Sequence, residues 1–139
     1  MSSEHVPASM QRRVRERAAL RCEYCGVSQE HQEATFHIDH VTPRSAGGET
    51  ALDNLALACV SCSLRKGARR SAADPATGES APLLDPRKDL GTDHLRPSDD
   101  GWFLGLTPTG RATIELLKMN RPLAVALRRE ERVRAGGSG

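Results

Sequence analysis

Two cysteine pairs, Cys22-x-x-Cys25 and Cys59-x-x-Cys62, constrain this chain more than any other feature of its 139 residues. Two thiolates three positions apart can share one tetrahedral metal ion, and a second such pair completes the shell. Gly26 follows Cys25 directly, where a tight backbone turn around a metal favours a residue with no side chain. Disulfides would need an oxidising compartment. The N-terminal MSSEHVPASM lacks a basic-then-apolar export pattern, and no apolar run approaches membrane-spanning length. The expected compartment is therefore the cytoplasm, with no membrane partner. In that setting paired cysteines point to a structural Zn²⁺. Four thiolates leave no open position, so any chemistry must come from other residues.

Composition agrees with a metal staple. Aromatic residues make up 3% of the chain, with one Trp, one Tyr and two Phe. A core so poor in large rings buries little area per residue, and small cores of this kind commonly rely on a metal. Pattern then gives the order of elements. Residues 7–20 read as a helix opened by Pro7, with Met10, Val14 and Leu20 as its sparse apolar positions. Residues 35–41 (TFHIDHV) are rich in β-branched and ring side chains and read as a strand. Residues 42–53, with Pro43, Gly47 and Gly48, form a loop. Residues 55–58 are a short second strand, and 60–68 a short helix. From 72 to 97 four prolines and no clear period predict an irregular segment, in which Leu83, Leu84, Leu90 and Leu95 give something to bury. Residues 102–106 read as a strand, 107–110 as a turn and helix start, and 111–119 and 122–133 as helices. The expected fold class is α+β. Residues 1–70 form the metal-stapled core, 71–135 an extension packed on or near it, and 136–139 (GGSG) a flexible tail.

Net charge is only +2, so the total does not announce a nucleic-acid binder. The distribution says more. Arg12, Arg13, Arg15, Arg17 and Arg21 lie in one stretch, Arg65, Lys66, Arg69 and Arg70 in a second, and Arg121, Arg128, Arg129, Arg132 and Arg134 in a third. Such patches can face phosphates, or can be no more than solvated helix faces.

Between the cysteine pairs, and through the second of them, runs FHIDHVTPRSAGGETALDNLALACVSC. With Cys22 and Cys25 before it, this segment resembles the HNH endonucleases, the ββα-metal nucleases, in the branch that carries a four-cysteine zinc site. Asp39-His40, Pro43, Gly47-Gly48, Asp53-Asn54-Leu55, the second cysteine pair and Lys66 carry the resemblance, which covers about residues 20–69. The tail from Leu83-Leu84-Asp85-Pro86-Arg87 through LTPTGRATIELLKMNRP is similar to that of some small bacterial HNH proteins. The resemblance implies a zinc-stapled ββα-metal core and a metal-dependent cut of phosphodiester bonds in DNA. It makes His40 the general base, Asp39 a ligand of a catalytic Mg²⁺ or Mn²⁺, and Asn54 the residue that holds the loop to orient His40. The chemistry is consistent with those residue types. A histidine titrating near neutral pH suits activation of water. A divalent cation held by carboxylate and imidazole suits charge stabilisation at phosphorus.

His37 projects to the same strand face as Asp39. It is a second metal ligand, a phosphate contact, or a structural histidine bonded to backbone. One position departs from the family: the residue after the last cysteine, usually His or Asn and a metal ligand, is Ser63. Ser63 or a bridging water then ligates, or His37 substitutes, or His94 folds back to the site, or metal affinity is poor. Arg44, Arg65, Lys66 and Arg69 are candidates for phosphate contact. RNA is an alternative substrate, and a non-catalytic zinc-ribbon module that binds nucleic acid is an alternative function. No oligomeric state is assigned, although one such site cuts one strand.

Overall fold

Helix α1 (Ala8–Arg17) opens the chain in the computed structural model, which describes residues 6–135. The expected tail 136–139 lies outside the described residues. Val14 is the buried residue of α1 and its arginines do structural work. Arg15 donates to the Phe36 carbonyl, and Arg17 donates to the carbonyls of Leu52 and Leu55 at 2.8 and 2.6 Å. The helix stops three residues short of the expected end. Ala19 and Leu20 take left-handed φ values of 54° and 57°, which turns the chain back on itself. Leu20 is consequently exposed rather than packed.

The chain then enters a hairpin-like turn closed by an Arg21–Ser28 bridge, and reaches β1 (His37–His40). Strand β2 (Leu55–Ala58) pairs antiparallel with β1, with His37 opposite Ala58 and His40 opposite Leu55. The expected loop between them contains two short 3-10 turns, Arg44–Ala46 and Leu52–Asn54. Helix α2 (Val60–Lys66) follows β2 at once and packs on both strands. Ile38, Leu55 and Leu57 are fully buried. Each such side chain contributes about 1.5–3 kcal/mol of burial free energy. These residues belong to one compact unit, formed by the chain up to Arg70 together with Asp85–Asp89.

The second unit comprises Ser71–Leu84 and the chain from Leu90 onward. Here the expected irregular stretch contains regular pieces: a hairpin of β3 (Ser71–Ala73) and β4 (Ser80–Pro82), helix α3 (Gly91–His94) and strand β5 (Leu95–Pro97). Strands of three residues are too short to show an alternation, and Pro82 and Pro97 close two of them, so the sequence hides them. Asp74 organises the hairpin turn. Its carboxylate accepts from the Ala76 N–H and takes both arms of Arg111 at 2.9 and 2.8 Å. Strand β6 (Phe103–Gly105) pairs with β5. Helix α4 (Pro108–Leu117) starts within the expected turn at 107–110, because Pro108 fits the first turn and the Thr107 hydroxyl caps the Gly110 N–H. Helix α5 (Pro122–Arg134) completes the unit, with Arg128 turned inward onto the carbonyls of Gly101 and Met119. Among the described residues no helix is long and apolar enough to cross a membrane.

Candidate active site and cysteine centre

The four cysteines converge. Their sulfur atoms all lie within 4.8 Å of one another, all four are buried, and none is in a disulfide. Cys25 Sγ and Cys59 Sγ are 3.7 Å apart. A tetrahedral ion with metal–sulfur bonds of about 2.3 Å spaces its sulfurs by roughly 3.8 Å, whereas a disulfide would bring them to about 2.0 Å. Each pair is wrapped in the same way. The Cys25 N–H points at Cys22 Sγ and the Cys62 N–H at Cys59 Sγ, both at 3.4 Å. Gly26 takes a left-handed φ of 82°, and its N–H reaches the Cys22 carbonyl. The second pair doubles as the N-cap of α2, so a bound metal would fix that helix to the end of β2. Bonds from neighbouring thiols pull Cys25 and Cys59 down, Cys59 to about 7, while burial holds Cys22 up and the neighbouring thiols hold Cys62 up. The donor set is compatible with a structural zinc.

Asp39 and His40 stand next to each other at the end of β1, where β2 and α2 bury both, at 4% and 3% exposure. Burial pushes the Asp39 carboxyl above its ordinary range, and Lys66 and Tyr24 draw it back. Tyr24 Oη donates to Oδ2 at 2.9 Å, and Lys66 Nζ lies 3.1 Å from the same oxygen. Among the described residues nothing donates a hydrogen bond to Oδ1. His40 Nε2 is 2.8 Å from Thr50 Oγ1.

Asn54 pins the loop that follows His40. Its Oδ1 accepts from the Thr42 N–H at 2.9 Å, and its Nδ2 donates to the carbonyls of Thr42 and Glu49 at 3.1 and 2.8 Å. The loop closes so tightly that a Cβ on Gly48 would sit 1.8 Å from the Thr42 oxygen. His37 on β1 and Ser63 on α2 also meet. His37 Nδ1 is 2.8 Å from Ser63 Oγ, which pairs the unusual serine with an imidazole. His94 belongs to the second unit, where its Nδ1 bonds to Thr107 Oγ1 at 2.6 Å.

Among the cationic candidates, Arg44, Arg65 and Arg69 are exposed. Lys66 is not. It is 2% exposed, and its ammonium donates to the carbonyls of His40 and Val41 as well as lying on Asp39. A lysine at the end of a short basic helix reads as a surface charge; here the hairpin under α2 offers it one carboxylate and two carbonyls. Two of these contacts leave little or no trace in the sequence. Tyr24 gave a weak signal as the lone tyrosine inside a cysteine pair, and Thr50 gave none. Among the described residues, no cluster of three His, Cys, Asp or Glu ligand atoms within 4.8 Å of one another includes Asp39, His37 or His40.

Comparison with curated proteins finds no match to the chain, and comparison with solved structures finds none either. Comparison with protein-family models gives a match over a stretch that starts at the first cysteine, takes in the Asp39-His40 strand, the Asn54 loop and the second cysteine pair, and ends beyond Lys66: residues 22–69 match the HNH endonuclease model.

Proposed function

We propose that this protein is a metal-dependent endonuclease that hydrolyses phosphodiester bonds in DNA, with a structural zinc in the four-cysteine cluster and a second divalent cation, Mg²⁺ or Mn²⁺, at Asp39. One observation carries the reading: inside the family-matched segment, a buried carboxylate held through only one of its oxygens stands beside a buried histidine whose Nε2 is already engaged. Asp39 Oδ1 is the oxygen that would hold the cation, and His37, through Nε2, would be its partner. Ser63 occupies Nδ1 of that ring and so orients it in place of the ligand the family usually has there. A cation with one carboxylate ligand keeps water and substrate phosphate in most of its shell. When bound, it neutralises charge developing on the phosphoryl oxygens and the departing oxygen.

The protein's own part is proton transfer and positioning. In the tautomer whose Nε2 proton is donated to Thr50 Oγ1, Nδ1 is the basic nitrogen of the neutral His40 ring. His40 Nδ1 takes a proton from the attacking water as the new P–O bond forms. The opposite P–O bond breaks, and the departing oxygen is protonated from solvent. Asn54 holds residues 42–49 so that His40 keeps its place at the end of β1. Exposed Arg44, Arg65 and Arg69 are the candidate phosphate contacts, and Lys66 positions Asp39 from within.

The test is nicking of supercoiled plasmid with Mg²⁺ or Mn²⁺. Cutting that stops with EDTA, and falls by about 10²–10⁴-fold in His40→Ala, is the expected outcome. Preference for single-stranded RNA over duplex DNA would reassign the substrate. A specific observation favours a second reading: Lys66 already neutralises Asp39, as expected if the domain binds nucleic acid without cutting it. That reading predicts salt-sensitive DNA binding and no cleavage with any divalent metal.

A further inference from the structure

Both halves of the cysteine cluster send a side chain to Asp39. Tyr24 lies between Cys22 and Cys25, and its hydroxyl donates to Asp39 Oδ2 at 2.9 Å. Lys66 lies one turn beyond Cys62 on α2, with Nζ 3.1 Å from the same oxygen. Tyr24 is 4% exposed and Lys66 2%, so neither contact is a surface accident. The knuckle that carries Tyr24 is itself tied to β2, through Glu23: its N–H donates to the Leu57 carbonyl, and its carboxylate accepts from the Leu57 N–H. A carboxylate on a strand end can rotate about two bonds. Two donors on one oxygen remove that freedom and aim the other oxygen outward. The two donors are not equivalent, because an ammonium repels a second cation and a phenol does not.

We propose that Tyr24 is a positioning residue for the divalent-cation site: its hydroxyl, fixed by the cysteine cluster, holds Asp39 Oδ2 so that Oδ1 is the oxygen presented to the cation. The proposal rests on the reading of Asp39 as a metal ligand. It gives the zinc centre a role beyond holding the fold, since the geometry of the first knuckle reaches the reactive carboxylate through a single hydrogen bond. Nothing in the family match assigns the tyrosine a part.

Mn²⁺ alone is the probe. Its dissociation constant is measured on the full chain by counting free Mn²⁺ with electron paramagnetic resonance, beside zinc content and melting temperature. Tyr24→Phe removes one oxygen and keeps the ring. The expected result is a dissociation constant raised about tenfold or more, in the range typical of lost supports to metal ligands, with zinc content unchanged. An Mn²⁺ affinity within twofold of the unsubstituted protein overturns the proposal if Asp39→Asn abolishes binding. Loss of zinc in Tyr24→Phe also overturns it, because the hydroxyl would then act on the cluster rather than on the carboxylate. If Asp39→Asn binds Mn²⁺ as the unsubstituted protein does, the reading of Asp39 as ligand fails and takes the proposal with it.

Discussion

Gly48→Ala isolates the loop that carries His40. A Cβ there would lie 1.8 Å from the Thr42 oxygen, 2.6 Å from the Thr42 carbonyl carbon and 3.0 Å from Asn54 Nδ2. Carbon–oxygen contacts ordinarily begin near 3.3 Å, so the backbone must retreat by about 1.5 Å. That displacement exceeds what the clamp of Asn54 on Thr42 and Glu49 can follow. Its three hydrogen bonds are each worth about 1 kcal/mol, so the cost is roughly 2–3 kcal/mol. For a unit of this size that lowers the melting temperature by roughly 10–20 °C. Gly47→Ala is the control. Nothing lies within 4 Å of its added Cβ, and only the left-handed φ of 88° opposes it, at about 1–2 kcal/mol. Thermal unfolding followed by far-ultraviolet circular dichroism compares the two, and plasmid nicking reads the site. Gly48→Ala should melt lower than Gly47→Ala and nick more slowly. Equal melting of the two variants would refute the clamp as the reason for the glycine.

Two further perturbations address the two units separately. Cys62→Ser, or zinc removal with a strong chelator, should abolish helical signal from the first unit. Structural zinc in small domains contributes about 10–16 kcal/mol, as much as a whole domain's net stability, so a chelated protein that keeps its circular dichroism would argue against the staple. In the second unit, the Arg111 guanidinium beside Asp74 holds that carboxyl at about 2, below its ordinary 3.8. A carboxyl depressed in the folded state stabilises fully above its unfolded value and loses that contribution as pH falls toward 2. Fluorescence of Trp102, the chain's one tryptophan, should therefore report acid unfolding of this unit below about pH 4. Asp74→Asn should remove most of that acid transition, and an unchanged acid profile would count against the pair.

Legibility in the sequence followed length and locality. The second strand, residues 55–58, could be read outright, because LALA is short, apolar and bounded by Asn54 and Cys59. The FHIDH segment formed a strand trimmed to four residues, since pairing is limited to what β2 can reach. The cysteine cluster was legible because metal chemistry restricts ligand spacing so narrowly. What the sequence concealed was tertiary. Lys66 ends a basic helix and carries no mark of burial, and only the carbonyls of His40 and Val41 on another element explain its direction. The left-handed turn at Ala19 and Leu20 uses residues with no turn preference, so the end of α1 could not be placed from pattern. The pairing of His37 with Ser63 joins residues 26 positions apart, and each alone looked like an open alternative.

Mn²⁺-soaked crystals measured at the manganese edge test whether a second cation sits at Asp39, apart from the four-cysteine cluster. One anomalous peak bound by Asp39 Oδ1 and His37 Nε2, separate from the four-cysteine cluster, is the expected result. A peak that touches neither residue, or manganese found only among the cysteines, would contradict it.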